Sequence, residues 1–133
     1  FCPIREGVVG SRCASHWCDA CMRAMPACQH NIGGINTSAG LPNISWSEIS
    51  SSYISEPLLK GINQSDKFYH IHSFYAEPKS REHILAKTKF FDKSYCSIAK
   101  KGNIFGCQFH PEKSGEQGLK IVKNFVNISN THE

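Results

Sequence analysis

Alternating side-chain character between residues 67 and 91 predicts two β-strands. The first, KFYHIHSFY from Lys67 to Tyr75, is dense in aromatic residues. Because successive strand side chains point to opposite faces, this alternation predicts one face made of ring side chains. These are Phe68, His70, His72 and Phe74. The second strand, HILAKTKFF from His83 to Phe91, alternates in the same way.

A hairpin and a helix are predicted after these strands. The runs YCSIA and IFGCQF flank KKGN, Lys100 to Asn103, in which Gly102 favours a tight hairpin turn. Further on, Ser114 and Gln117 are spaced as a capping box, which predicts the start of a helix. Apolar residues then recur at helical spacing and predict the buried face of that helix. These are Leu119, Val122, Phe125 and Val126.

Residues 1–40 differ in composition from the remainder of the chain. They are rich in Cys, Gly, Arg and Ala, show no steady apolar period, and end in the loop-like NIGGINTSAG. We therefore predict an irregular, cysteine-rich segment over residues 1–40 and a folded domain over residues 41–133. Since the sequence begins with Phe1, we expect it to be a fragment or a processed product.

Length and charge exclude several classes of protein. The 133 residues are 40% hydrophobic, which fits one domain with a real core. A net charge of +4 is too small to indicate a nucleic-acid partner. The sequence has no apolar run of ~18 residues and no signal-peptide layout at its start. We therefore expect a cytoplasmic protein with neither a nucleic-acid nor a membrane partner.

The seven cysteines are unevenly placed, with five of them in the first 28 residues. An odd and uneven set does not fit a disulfide framework. Cys18 and Cys21 form a CxxC with histidines nearby, and a zinc site is one interpretation of it. Without a second cysteine pair at the standard spacing that signal is weak, so we predict no metal. Cys96 and Cys107, in strand-like segments, are predicted to pack as small apolar residues.

His110 and Glu112 form the candidate proton-handling pair of the chain. Side chains two apart on a strand point the same way, and Pro111 between them cannot continue a sheet ladder. A carboxylate beside an imidazole fixes its tautomer, which is what a nucleophile needs from its base. The alternative is a surface histidine at a strand end and a glutamate that begins a helical turn, the commoner meaning of an isolated His-x-Glu.

Three segments in a fixed order carry a resemblance to one enzyme family. They are LPNISWSEI (Leu41 to Ile49), FYHIHSFYAEP (Phe68 to Pro78) and GCQFHPEKSGEQGLKIVKNF (Gly106 to Phe125). The last resembles the C-terminal signature of class I glutamine amidotransferases. The first two are similar to the Pro-His-Met-Gly-Trp-Asn and Tyr-Phe-Val-His-Ser-Tyr segments of one branch, the glutaminase subunits of imidazole glycerol phosphate synthase.

The resemblance implies an α/β fold, a partial class I glutamine amidotransferase domain of flavodoxin-like type. Such a domain has a mixed sheet with an antiparallel portion and a C-terminal helix. The implied reaction hydrolyses the side-chain amide of glutamine through a cysteine thioester, without a cofactor. The ammonia then passes to a (β/α)8-barrel cyclase or synthase subunit, in a heterodimer of histidine biosynthesis. The alternatives are a pathway of surface-sugar biosynthesis and a catalytically dead scaffold that only binds a partner.

The resemblance also implies roles for individual residues. His110 matches the general base of a Cys-His-Glu triad, and Glu112 matches the carboxylate that orients it. His72 and Ser73 match the strand that lines the glutamine pocket. The positions that match the partner interface or lie near the partner are Trp46 and Lys113.

The sequence departs from the family pattern at several positions. It contains no Gly-x-Cys-x-Gly elbow, the turn that exposes a thiol and lowers its pKa, and the nearest matches surround Cys2 and Cys13. Asn43 stands where the family has His, Ser45 where it has Gly, and His70 where it has an aromatic residue. These changes predict an altered glutamine pocket and partner surface. Because N-terminal strands of such a domain are missing, we also expect low stability or poor solubility of the isolated chain.

Overall fold

A computed structural model of the protein describes residues 9–10, 27–31, 43–53, 55–72, 74–91, 93–102 and 104–131. The strands within these ranges are β1 Val9–Gly10, β2 Ala27–Asn31, β3 Asn43–Glu48, β4 Lys67–His72, β5 Phe74–Pro78, β6 Ile84–Phe90, β7 Lys93–Lys101 and β8 Ile104–Cys107. A helix, α1 Gly115–Thr131, follows them. Short 3-10 turns lie at Pro57–Leu59, Arg81–His83 and Pro111–Lys113. No helix in this part of the chain combines the length and apolar content needed to cross a bilayer.

The strands form one mixed sheet and two ribbons. The sheet has the order β1-β8-β7-β6, in which β1 runs parallel to β8 and the other neighbours are antiparallel. The ribbons are the antiparallel pairs β2–β5 and β3–β4. A mixed sheet with an antiparallel portion and a C-terminal helix confirms the predicted α/β class.

The strand predictions from alternation are largely confirmed. The predicted inner face of β4 is buried at Phe68, His70 and His72. The predicted strand is divided, because β4 ends at His72 and β5 begins at Phe74. The predicted hairpin joins β7 to β8, with Gly102 at a φ of 58°, a left-handed conformation that glycine adopts without strain.

The predicted apolar face of the C-terminal helix is wrong at three of its four residues and confirmed at Phe125. Leu119, Val122 and Val126 are exposed, whereas Ile121 and Phe125 are buried. The stripe that faces the core therefore runs through Ile121, Phe125 and the partly buried Ile128. Both stripes have helical spacing, so periodicity alone did not distinguish them.

The core lies between α1, the Pro57–Leu59 turn and one face of the sheet. Its buried members are Ile49, Leu58, Leu59, Phe68, Leu85, Ala86, Ile98, Phe105, Cys107, Phe109, Ile121 and Phe125. Cys96 and Cys107 are both buried, which confirms their prediction as small apolar residues. Burial raises the pKa of the Cys96 thiol to about 12, so this sulfur stays protonated at neutral pH.

Candidate functional site

The segment that follows β8 is tied to both neighbouring strands. The Gln108 N–H donates to the Ser97 carbonyl at 2.8 Å, and the His110 N–H donates to the Tyr69 carbonyl at 3.0 Å. Pro111 then opens a 3-10 turn, since it has no N–H with which to continue the pairing. His110 is therefore fixed by its backbone between β4 and this turn.

His110 and Glu112 face each other across the turn. The Nδ1 atom of His110 lies 2.8 Å from Oε1 of Glu112. The imidazole side chain is 13% exposed and the carboxylate side chain 51% exposed. Because a carboxylate only accepts, this hydrogen bond places a proton on Nδ1 and a lone pair on Nε2 of the neutral ring. Nε2 is buried, and no side chain or backbone group of the described residues bonds to it.

Ser114 secures the turn in a way that the sequence did not predict. Its hydroxyl accepts the Tyr69 N–H at 2.9 Å and donates to the His110 carbonyl at 2.5 Å. The capping-box pattern had assigned this hydroxyl to the first turn of α1. It instead connects β4 to the backbone of the candidate base, so it holds the site rather than the helix end.

Gly118 lets α1 pass close to the same turn. A Cβ atom at this position would lie 1.9 Å from the Pro111 carbonyl oxygen and 2.8 Å from Cβ of Ser114. Only a residue without a side chain fits there, which explains a glycine inside the helical pattern. The helix thus supports the backbone that carries Glu112.

The predicted pocket residue His72 lies in a buried polar cluster. Its Nε2 atom is 3.3 Å from Nδ2 of Asn43 and 3.2 Å from the Tyr95 hydroxyl. Burial raises the pKa of Tyr95 well above its ordinary value, although the Asn43 amide partly offsets this, so the phenol keeps its proton. Ser73, predicted to line the pocket with His72, lies outside the described residues.

His70 lies between this cluster and the apolar core. Its Nδ1 atom is 3.0 Å from the Phe68 carbonyl, so Nδ1 carries the proton. Burial, together with the nearby His72 and His110 rings, lowers the pKa of His70 to about 3, although the hydrogen bond to Phe68 partly offsets this. The ring is therefore neutral near pH 7. Its buried Nε2 atom finds no hydrogen-bond partner among the described residues.

The two predicted interface residues are at the surface. Trp46 on β3 is 51% exposed, and Lys113 is exposed in the turn beside Glu112. Tyr69, which the sequence did not single out, lies opposite Trp46 across the ribbon, with ring centroids 5.7 Å apart. Its backbone also bonds His110 and Ser114, so Tyr69 connects the Trp46 surface to the candidate base. The sequence signal that could have indicated Tyr69 was an aromatic side chain on the outer face of an alternating strand.

The two cysteines whose side chains the structure describes are not suited to attack a substrate. Cys96 and Cys107 are at most 3% exposed, and buried structural thiols are inert. Cys2 and Cys13, the nearest matches to a nucleophile elbow, lie outside the described residues, as do Cys18 and Cys21 of the CxxC. Within the described ranges, no three His, Cys, Asp or Glu residues are grouped as metal ligands.

Comparison with known proteins gives a family match and several curated relatives. The family "Glutamine amidotransferase class-I" matches residues 32–128. Imidazole glycerol phosphate synthase subunit HisH 2 of Pseudomonas aeruginosa is 39% identical over 88 residues, covering 66% of this chain and 43% of the relative. Subunit HisH of Buchnera aphidicola is 43% identical over 88 residues, with the same coverage of 66% and 43%. Subunit HisH of Chlorobium chlorochromatii is 37% identical over 94 residues, covering 71% and 46%.

The chain thus spans less than half the length of these three curated relatives. A crystal structure of a Thermoplasma acidophilum protein described as a GMP synthase component has a TM-score of 0.61 and 19% identity. It covers 80% of this chain, which covers 50% of that protein, and it shows a shared fold. The family match extends over more than half of the sequence and includes the His110–Glu112 turn. The chain therefore belongs to the class I glutamine amidotransferase family.

Proposed function

We propose that the chain is part of the glutaminase subunit of an imidazole glycerol phosphate synthase. The observation that carries the proposal is the His110–Glu112 pair at 2.8 Å, with the ring Nε2 buried and unpaired within the described residues. A base oriented by a carboxylate and offering an inward lone pair is what activation of a thiol requires. The HisH relatives supply the pathway, histidine biosynthesis.

In the proposed reaction His110 accepts the proton of a cysteine thiol at Nε2. The thiolate attacks the side-chain amide carbon of glutamine, and the C–N bond breaks as the nitrogen takes the proton back from the ring. Ammonia and a thioester result. His110 then takes a proton from water, and the hydroxide attacks the thioester carbon. The C–S bond breaks as the sulfur takes that proton back from the ring, so glutamate and the free thiol are released. Glu112 accepts the hydrogen bond from Nδ1–H and stabilises the imidazolium that forms in each half of the reaction.

The remaining site residues have supporting roles in this proposal. His72 and Ser73 line the pocket for the glutamine. The exposed Trp46, together with Lys113, lies against a (β/α)8-barrel synthase subunit, which receives the ammonia within a heterodimer. A cytoplasmic location belongs to the same proposal.

The test is glutamate release from glutamine by the chain mixed with its synthase subunit. We expect His110→Ala to lower kcat at least ~10²-fold, since a positioned general base contributes about 10²–10⁴-fold. The matched control is His83→Ala, a partly buried histidine in the separate Arg81–His83 turn, which should leave kcat unchanged. Equal effects of the two substitutions would contradict the proposed base.

A second candidate function is a partner-binding scaffold without glutaminase activity. The observation in its favour is the missing Gly-x-Cys-x-Gly elbow. A diazoketone analogue of glutamine, which alkylates the nucleophilic cysteine of such enzymes, separates the two candidates. Mass-spectrometric detection of one labelled cysteine supports the enzyme. Absence of label and of glutamate release, with the partner bound, supports the scaffold.

A further inference from the structure

Three side chains on one face of β3 form a row of hydrogen bonds. Ser47, Ser45 and Asn43 lie two residues apart, so they point to the same side of the strand. The hydroxyls of Ser47 and Ser45 are 2.8 Å apart, and the Ser45 hydroxyl donates to Oδ1 of Asn43 at 2.6 Å. The row begins at the half-buried serines and ends at the fully buried Asn43.

The far side of the Asn43 amide reaches two buried partners. Its Nδ2 group donates to the Tyr95 hydroxyl at 3.0 Å and lies 3.3 Å from Nε2 of His72. The same Tyr95 hydroxyl lies 3.2 Å from that ring nitrogen. Asn43, His72 and Tyr95 are each at most 2% exposed, so water does not compete for these bonds. We call the five residues Ser47, Ser45, Asn43, Tyr95 and His72 the relay.

The donors and acceptors of the relay have one consistent direction. Because Oδ1 of Asn43 accepts from Ser45, the opposite end of the amide is an NH₂ group, which only donates. One N–H goes to the Tyr95 oxygen and the other to His72 Nε2. An Nε2–H on His72 would face the Asn43 NH₂ group donor to donor, whereas an unprotonated Nε2 has one lone pair that the Asn43 N–H and the Tyr95 O–H share. Nε2 of His72 is therefore an acceptor, and its proton is on Nδ1.

We infer that Asn43 is a positioning residue that holds His72 as the Nδ1–H tautomer. Through Ser45 and Ser47 it also connects His72 to the strand that presents Trp46. The functional part rests on the proposed function, since His72 is proposed to line the glutamine pocket. A fully satisfied buried network rigidifies the groups it joins. The relay thus orients the ring against the pocket, and the segment of β3 beside Trp46 contributes to that orientation.

The direct test is nitrogen-15 NMR of the imidazole rings of the full chain at pH 7, in which protonated and unprotonated ring nitrogens resonate apart. We expect the His72 proton on Nδ1. In Asn43→Asp the new carboxylate has no hydrogen to donate, so we expect the proton to move to Nε2. A proton on Nε2 in the unsubstituted chain, or equal populations of the two tautomers, overturns the inference.

Milder substitutions keep the test decisive if Asn43→Asp does not fold. Ser45→Ala removes the donor that fixes the amide, so the amide turns over and both tautomers of His72 become populated. Ser50→Ala, an exposed hydroxyl outside the relay, is the matched control and leaves the tautomer unchanged. A Ser45→Ala spectrum identical to that of the control contradicts the inference.

Kinetics with the synthase subunit separate this inference from the proposed function. Loss of one positioning hydrogen bond is worth about 1 kcal/mol, so we expect Ser45→Ala to raise the KM for glutamine about fivefold with kcat little changed. An unchanged KM overturns the pocket-orienting role. Absence of glutamate release from the unsubstituted chain contradicts the proposed function instead, and the NMR spectrum still decides the tautomer.

Discussion

The two ends of β4 have opposite surroundings. At one end Phe68 packs against Phe109, with ring centroids 4.5 Å apart, inside the apolar core. At the other end His72 lies against Tyr95 and Asn43, and a polar atom of each lies within 3.3 Å of its Nε2 atom. His70 lies between them, in ring contact with both Phe109 and Tyr95.

The apolar end of β4 mainly stabilises the fold, whereas the polar end mainly fixes the orientation of side chains. Burial of apolar rings stabilises the fold by about 1.5–3 kcal/mol for each large side chain. A buried hydrogen bond adds only about 0.5–1.5 kcal/mol, because it replaces bonds to water, but it fixes the orientation of its partners. The backbone of His110 is attached to β4 at Tyr69, between the two ends. The candidate base is therefore anchored near the stable end, and the candidate pocket residue lies at the polar end.

The largest expected effect is at the apolar end. Phe68→Ala leaves a cavity in a fully buried position and should lower the free energy of unfolding by about 3–5 kcal/mol in urea titrations. The control is Leu119→Ala on the exposed stripe of α1, where the change should stay within about 0.5 kcal/mol. A larger loss in Leu119→Ala would indicate that Leu119 is on the buried face of the helix, as periodicity predicted.

Gly118→Ala tests how closely α1 supports the turn. The added methyl group meets the Pro111 carbonyl oxygen, and such overpacking should lower the free energy of unfolding by about 1–3 kcal/mol. The same displacement should shift the NMR signals of the His110 ring. Gly102→Ala is the control, because a Cβ there meets open space and only the positive φ is penalised, by about 1–2 kcal/mol. A shifted His110 signal in the control would contradict this account.

His70 makes stability depend on pH. Its pKa in the folded protein is about 3, against 6.5 for a free histidine, so the unfolded chain binds more protons between these values. The contribution of neutral His70 to the free energy of unfolding is complete above pH 6.5. It is lost as the pH falls towards 3, by at most ~1.4 kcal/mol per pH unit.

His70→Phe should flatten this acid slope and also remove the buried Nε2 atom, which has no partner among the described residues. Denaturant titrations at several pH values measure the slope. At pH 8, the difference in free energy of unfolding between His70→Phe and the unsubstituted chain measures the packing change alone. An unchanged slope in the variant would show that another group titrates.

At the polar end we expect a smaller loss. Tyr95→Phe keeps the ring and removes the hydroxyl that bonds Asn43 and His72, which should lower the free energy of unfolding by about 1 kcal/mol. The same urea titrations measure it. A loss as large as that of Phe68→Ala would remove the contrast between the two ends of β4.

The smallest expected effect is at the exposed stripe of α1. Leu119→Lys combined with Val122→Lys should leave the free energy of unfolding within about 0.5 kcal/mol. Solubility should rise, because exposed apolar patches favour association. Circular dichroism melts and precipitation assays measure both. A sharp melting transition at high temperature in the unsubstituted chain would contradict the low stability expected from the sequence.

Local patterns were sufficient for several elements of the fold. The alternation of β4, the hairpin at Gly102 and the start of a helix after Ser114 are properties of short segments, and the structure has all of them. The contact between His110 and Glu112 also spans only two residues, so its proximity follows from chain geometry. The role of that pair, and the boundary at residue 40, stay predictions.

Other features depended on residues far apart in the sequence. The helix carries two apolar stripes that share Phe125, and only packing against the sheet selected Ile121 over Leu119 and Val122. The local sequence pattern predicted that the Ser114 hydroxyl caps the helix. In the structure this hydroxyl instead accepts the N–H of Tyr69, 45 positions away.

By itself the sequence determined strands β4, β6, β7 and β8, the turn and the adjacency of one imidazole to one carboxylate, because each is set by spacing along the backbone. Only the tertiary structure decided what surrounds His72. Its partners Asn43 and Tyr95 are 29 and 23 positions distant, and the chain must fold before their polar groups leave water and bond each other.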